Sequence, residues 1–186
     1  MVIMQMGRGG RLSRERRLSR DEGLTPPAIS LEQLWGALTE VPDPEMPIVN
    51  LVELGIVRDV EWRGDELEVT ITPTFAACPA YEVMGSQIQD RLHRLGISEV
   101  NVVVRHDPPW TSEWITDEAR QKMIAVGLAP PPHHRGDFVQ ILLDPVACPR
   151  CSSTNTSLRN SFGTTPCRMI YTCNNCKEPF EQFKPL

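Results

Sequence analysis

Six cysteines carry most of the chemistry this sequence can offer, and four of them fall into two pairs of equal spacing. Cys148-Pro149-Arg150-Cys151 and Cys173-Asn174-Asn175-Cys176 are CxxC pairs separated by 21 residues. Two intervening residues let both sulfurs of a pair converge on one ion from a tight turn. Two such turns complete a tetrahedral thiolate shell with metal–sulfur distances of about 2.3 Å. The separation is slightly beyond the usual ribbon range of about 15–20 residues. It still accommodates a hairpin: residues 154–160 and 168–172 read as strands, with Phe162-Gly163-Thr164-Thr165 as the turn between them. A thioredoxin-type redox pair needs one CxxC at a helix N-terminus in a βαβ context, and neither pair has that. An iron–sulfur cluster also takes four thiolates. Zinc is favoured over iron, and the predicted ligand set is Cys148, Cys151, Cys173 and Cys176. Residues 148–186 hold few large apolar side chains, and a unit of ~40 residues normally needs a metal or disulfides to stay folded.

The other two cysteines are less explicit. Cys167 lies inside the four-cysteine module; a small buried hydrophobe is the preferred reading, with a spare ligand or transfer thiol as the alternative. Cys78 precedes Pro79 at the predicted start of a long helix, where free N–H groups and the helix dipole favour a thiolate below its usual pKa of about 8.5. Nucleophile, soft-metal ligand and buried capping residue all stay open there. No His or Asn is placed to make a protease-like dyad, so acyl transfer is a poor expectation. Asp43 and Glu45 sit two apart in the proline-dense stretch Val41-Pro42-Asp43-Pro44-Glu45-Met46-Pro47. A solvated turn is the ordinary reading of such a pair; holding a metal or orienting a partner is the other. His133 and His134 read as exposed spacers beside prolines.

The elements that must position these groups follow from periodicity. Ser30 and Gln33 form a capping-box pattern ahead of an apolar stripe of Leu31, Leu34, Trp35 and Leu38, and Pro42 stops that helix. Two strands follow, over 56–62 and about 67–71, joined by a turn at Arg63-Gly64-Asp65. Residues 79–95 form the strongest helix, with Tyr81, Met84, Ile88, Leu92 and Leu95 on one face, Pro79 in its first position and Gly96 at its end. A third strand runs from about 99 to 105. Thr116 caps a short helix that closes at Gly127. The predicted fold class is α+β: a small mixed sheet covered by helices, followed by a C-terminal zinc-ribbon-like β module. The predicted organisation is a disordered leader at 1–27, an α/β domain at 28–128, a proline-rich connector at 129–146 and the cysteine module at 147–186.

The formal charge of −5 conceals an asymmetry. Residues 1–20 carry +5, residues 148–186 carry +3, and residues 21–147 carry −13. A nucleic-acid binder usually presents a basic face on its main domain, so the acidic centre argues against a zinc-ribbon nucleic-acid-binding protein. The arginine-rich leader reads as a solvated tail rather than an RNA-binding arm. No apolar run approaches the ~20 residues of a membrane span, and the N-terminus lacks the apolar core of a secretory signal. A cytoplasmic setting with reduced thiols is expected, which favours metal chemistry over structural disulfides.

Asp43-Pro44-Glu45, Asn50, Leu54-Gly55-Ile56-Val57 and Thr72-Pro73-Thr74 leading to Cys78-Pro79 together resemble the SufT-like family of iron–sulfur assembly factors, over roughly residues 29–108. Further segments, Pro108-Pro109-Trp110-Thr111-Ser112-Glu113-Trp114-Ile115, Gly127-Leu128-Ala129-Pro130-Pro131 and the cysteine tail through Glu178-Pro179-Phe180, narrow the resemblance to the D subunits encoded with bacterial phenylacetyl-CoA ring epoxidases. Thr165-Pro166 before Cys167 is a departure from that pattern, which commonly has a small residue there. The resemblance implies an accessory subunit in aerobic phenylacetate degradation, not an enzyme by itself, that assists iron–sulfur or metallocentre maturation of a multicomponent di-iron oxygenase. The alternative is a structural subunit of the active monooxygenase complex. Implied partners are the other epoxidase subunits or the reductase, with a homo-oligomer left open and no membrane. On this resemblance Cys78 becomes the leading functional thiol, transiently holding iron or an iron–sulfur species with Asp43, Glu45 and Thr74 around it.

Overall fold

A computed structural model of the chain describes residues 29–75, 78–133 and 145–186. The expectations for the leader, for His134 and for most of the connector lie outside those residues.

Ser30 caps α1 (Leu31–Leu38) as its sequence requires: its side chain accepts from the Gln33 N–H, and the Gln33 side chain accepts from the Ser30 N–H at 2.9 Å. Leu34, Ala37 and Leu38 then face the core. The proline loop that follows is closed on itself by a bridge between Pro42 and Asn50 and by the Asp43 N–H donating to Val49 O at 2.9 Å. This gives a stretch without helix or strand a fixed shape.

β1 (Val57–Arg63) and β2 (Glu66–Ile71) pair antiparallel, and β2 pairs parallel with β3 (Val100–Val104). The parallel step needs a crossover, which α2 (Tyr81–Arg94) supplies, burying Met84, Ile88 and Leu92. The helix begins later than its sequence suggests. Pro79 lies in the turn ahead of it, Ala80 is the N-cap without a side-chain bond, and Tyr81 is exposed rather than part of the buried stripe. Gly55, at φ +66°, allows the chain to pass against Trp114; a Cβ there would lie 2.5 Å from the Trp114 Cβ. Thr116 caps α3 (Asp117–Ala125) by accepting from the Ala119 N–H. Arg120 of this helix is buried and donates to the carbonyls of Pro131 and, at 2.6 Å, of Ser112. It thereby pins the start of the connector to a short 3-10 turn, Ser112–Trp114.

The C-terminal segment forms a second sheet in which β5 (Thr156–Asn160), β6 (Arg168–Cys173) and β7 (Pro179–Phe183) are antiparallel neighbours. Its fourth strand comes from outside the cysteine module. β4 (Leu128–Ala129) follows α3 and pairs parallel with β7, so the first residues past Gly127 are already part of the second sheet. The two sheets also share a core. Cys167 and Phe183 are buried in the same cluster as Leu54, Met84 and Trp110, and the Phe183 ring lies 5.9 Å from that of Trp110. The Ser112 N–H and the Thr111 hydroxyl both donate to Leu186 O.

Candidate functional site: a four-thiolate ribbon and a thiol–carboxylate cavity

The two CxxC pairs adopt one backbone design. In the first, the Ser152 N–H donates to Cys148 O at 2.8 Å and the Cys148 N–H to Ser153 O at 2.9 Å. In the second, the Lys177 N–H donates to Cys173 O at 3.0 Å and the Cys173 N–H to Glu178 O at 3.0 Å. The residue after each pair is left-handed, Ser152 at φ 59° and Lys177 at φ 66°. That reversal folds the two sulfurs of each pair towards one point. All four sulfurs lie within 4.8 Å of one another, with Cys148 to Cys176 at 3.8 Å and Cys151 to Cys173 at 3.6 Å. A tetrahedron with metal–sulfur bonds of about 2.3 Å has an edge of about 3.8 Å, so the residues present fit a metal ion.

The local electrostatics ask for that ion. The Cys176 backbone N–H draws the Cys173 thiol down to about 6, against burial. The Glu178 N–H pulls Cys176 the same way, but burial and the other three sulfurs override it and push that thiol up to about 12. Four thiols this close cannot ionise together unless a cation replaces their protons. Around them the apolar support is slight: Ala129, Cys148, Cys173 and Phe180 form a small cluster of their own, with Tyr171 stacked on Phe180 at 5.7 Å.

The second constellation joins residues far apart in the chain. Asp43, Glu45, Thr74, Cys78 and Cys167 line one cavity of about 10 Å³ beneath the proline loop. Asp43 is buried, and its Oδ1 accepts from the backbone N–H of Met46 at 2.7 Å and of Glu45 at 3.0 Å. Burial nonetheless raises its pKa above the ordinary carboxylate value. At Cys78 the structure corrects the expectation of a lowered pKa at a helix mouth. Burial is the largest influence and raises it; the Ala80 and Tyr81 N–H groups do favour the thiolate, but with Glu45 and Asp43 nearby the net pKa is raised. Burial and the two carboxylates thus disfavour the Cys78 thiolate.

Cys167 is a small buried residue, as its sequence reading preferred. It is buried, but against the main domain rather than within its own module. Its Sγ lies 3.6 Å from Glu45 Oε2 and 3.0 Å from the Thr165 hydroxyl. Burial pushes its thiol up to about 11. The neighbouring Arg168 donates to Glu45 O at 3.1 Å and to Glu181 Oε2 at 3.1 Å, fixing the proline loop to the ribbon. Nothing in the spacing of Cys167 marks this placement; the one signal is that it is the ribbon's cysteine without a CxxC partner. His133, read as a spacer, lies 3.5 Å from Glu113 and 3.7 Å from Asp117 at the surface.

Comparison with known proteins accords with this two-part arrangement. Residues 31–104 match the family model described as iron–sulfur cluster assembly protein. Residues 140–184 match the PaaD zinc beta ribbon domain. The fold and the thiolate site thus define an iron–sulfur-assembly-type domain carrying a zinc β-ribbon. A protein of Escherichia coli (strain K12), provisionally named as the D subunit of 1,2-phenylacetyl-CoA epoxidase, is 38% identical over 162 residues, covering 87% of this chain and 95% of its own. The chain belongs to the family of that epoxidase D subunit. Among solved structures, a domain of unknown function, DUF59, from Bacillus anthracis has 29% identity and a TM-score of 0.46, covering 50% of this chain and 89% of its own. A conserved hypothetical protein of Thermotoga maritima has 30% identity and a TM-score of 0.44, covering 51% and 94%.

Proposed function

We propose that this chain is an accessory subunit of a phenylacetyl-CoA epoxidase system that helps assemble or mature its metal centre, and that Cys78 is the thiol through which it does so. The observation that carries this reading is the cavity beneath the proline loop, where Cys78 stands beside Glu45, Asp43 and Thr74. A buried thiol among carboxylates is poorly made for nucleophilic attack, because its thiolate is disfavoured. It is well made to exchange a proton for iron or an iron–sulfur species, since a cation reverses the sign of every nearby interaction. The ribbon metal, read as zinc, is structural: all four positions of its shell are protein thiolates, which leaves none for substrate.

The chain is read as an accessory subunit that does not turn over substrate by itself. Glu-x-x-His pairs at helical spacing, which di-iron carboxylate sites use, are absent from the sequence. A second reading, a structural subunit of the assembled oxygenase, is favoured by the relative's designation as a subunit. The expected partners are the other epoxidase subunits or the reductase. Reduced, metal-loaded thiols suit a cytoplasmic setting, and among the described residues no helix is long and apolar enough to cross a membrane.

The test is a strain whose only copy of this gene carries Cys78→Ser, grown on phenylacetate as carbon source. The expected result is a folded, zinc-containing protein, slowed growth and epoxidase purified from those cells with depleted metal. Normal growth with fully loaded epoxidase overturns the role given to Cys78. Reconstitution from separately matured subunits distinguishes the two readings: a maturation factor is then dispensable, a structural component of the oxygenase is not.

A further inference from the structure

Of the five cysteines in residues 148–186, four converge within 4.8 Å of one another and one stands apart. Cys167 instead shares with Cys78 the walls of two adjoining cavities, and Glu45 and Thr74 line both as well. We infer that Cys167, Cys78 and the Glu45 carboxylate form a second metal site at the seam between the two sheets, taking one divalent cation of the ferrous or zinc kind. This rests on the reading of Cys78 as a functional thiol and adds that the ribbon supplies the second ligand.

Cys167 packs into the apolar core on one side and meets polar groups on the other. A cysteine that merely occupies space is surrounded by apolar groups. This one has a carboxylate oxygen at 3.6 Å, a hydroxyl at 3.0 Å and a guanidinium on the next residue. Two sulfurs and a carboxylate oxygen are the donor set that zinc or ferrous iron accepts. Two thiolates and one carboxylate carry −3, which a divalent cation reduces to −1, with the Arg168 guanidinium, already paired with Glu181, beside it. Arg168 lines the same cavity, and its Nε is buried with no hydrogen-bond acceptor among the described residues. Lone buried charge is costly, whereas a largely neutralised cluster is tolerated.

The site is looser than the ribbon. Among the described residues, the ribbon cysteines are the set of three or more ligands already within 4.8 Å of one another. At least one pair among Cys78, Cys167 and Glu45 lies beyond that spacing, so the three side chains must close on the ion as it enters, and a shell of only three protein donors leaves a coordination position open. Binding releases the thiol protons as the sulfurs ligate.

Cobalt(II) added anaerobically to the full-length protein carrying one zinc per chain, enough for the ribbon alone, tests this, because it reports thiolate ligation by charge-transfer absorption and does not outcompete zinc in the ribbon. One further cobalt per chain with thiolate charge transfer is expected. Cys167→Ser and Cys78→Ser should each weaken it by roughly tenfold or more and reduce the charge-transfer band, with ribbon zinc retained. A Cys167→Ser protein that binds the second cobalt as tightly as wild type, with the same spectrum, overturns the inference. If only Cys78→Ser loses the ion, Cys78 keeps its role and Cys167 does not. If neither variant differs from wild type, or wild type takes no second cobalt, the metal role of Cys78 falls as well. Should Cys167→Ser fold poorly, alkylation of the wild-type protein decides: cobalt must protect Cys167 and Cys78 from iodoacetamide, and modification of Cys167 at an unchanged rate refutes the site.

Discussion

Stripping the ribbon of its metal should unfold residues 145–186 and weaken, without destroying, the domain beneath. The first half follows from the small apolar cluster around Ala129 and Phe180. Burying a large apolar side chain contributes about 1.5–3 kcal/mol, whereas a structural zinc contributes on the order of 10–16 kcal/mol to a unit of this kind. The second half has a magnitude of its own. Undocking removes Phe183, 3% exposed, from the main core, for about 2–3 kcal/mol. It also breaks the bonds from the Ser112 N–H and the Thr111 hydroxyl to Leu186 O, at about 1 kcal/mol each. The domain should therefore lose about 4 kcal/mol, a fall in Tm of roughly 15–30 °C for a unit of this size. Leu34, Leu38, Leu67, Ile71, Ile88 and Leu92, all fully buried, remain to hold it. Of the four tryptophans, Trp110, buried against Phe183, is the one the event exposes most, and a protein with Trp35, Trp62 and Trp114 replaced by Phe isolates its emission. Exhaustive chelation under reducing conditions, followed by hydrogen-exchange mass spectrometry and tryptophan emission, should show lost protection in 145–186, a red-shifted Trp110 and a still cooperative urea transition at lower midpoint. Persistent protection in 145–186 after complete metal removal would refute the reasoning, since the segment would then fold on apolar contacts alone.

Two further outcomes follow from local geometry. Gly55→Ala should destabilise the protein by about 3 kcal/mol or more, because it adds a left-handed penalty to a 2.5 Å clash with Trp114. Gly64→Ala, equally left-handed but with nothing within 4 Å, should cost only about 1–2 kcal/mol, and urea midpoints of the two variants compare them. Glu181 is held below its ordinary pKa: burial opposes ionisation, but the Thr164 N–H and Arg168 outweigh it. A depressed carboxyl contributes stability above its unfolded pKa and loses it as pH falls through the folded value. Glu181→Gln should thus be less stable than wild type at pH 7 by about 1–2 kcal/mol, with the difference shrinking as pH falls below the unfolded carboxyl value of about 4.3 and lost only below the lower folded value, in acid titrations of urea stability.

Most of the fold is legible because its signals are local. The Ser30 capping box, the alternation of Leu67, Val69 and Ile71, and the Thr116 cap each depend on a few adjacent residues. The ribbon site is legible for the same reason, since the CxxC spacing encodes its own convergence. What escapes depends on tertiary placement. β4 is two residues long and becomes a strand only because β7 lies beside it. The pKa of Cys78 is misread from sequence because a helix terminus is visible there, while burial and the approach of Glu45 and Asp43 are not. Cys167 is hidden on the same ground: its spacing says nothing, and its neighbours come from 122 residues away.

Cys167 and Cys173 bracket a single strand, and this links the two sites mechanically. β6 begins at Arg168 and ends at Cys173, a ribbon ligand, so the thiol facing Glu45 and a thiol on the ribbon ion are separated by about 20 Å of extended chain. An extended strand paired on both edges, here with β5 and β7, is stiff. The ion at one end therefore fixes the position of Cys167 at the other, and Arg168 transmits the same constraint by holding Glu45 O on one side and Glu181 on the other. A ribbon without metal cannot deliver Cys167 to the cavity. If Cys167 serves the proposed second site, loading the closed site is the expected precondition for assembling the open one, and a ribbon-metal-free protein should bind no second cobalt.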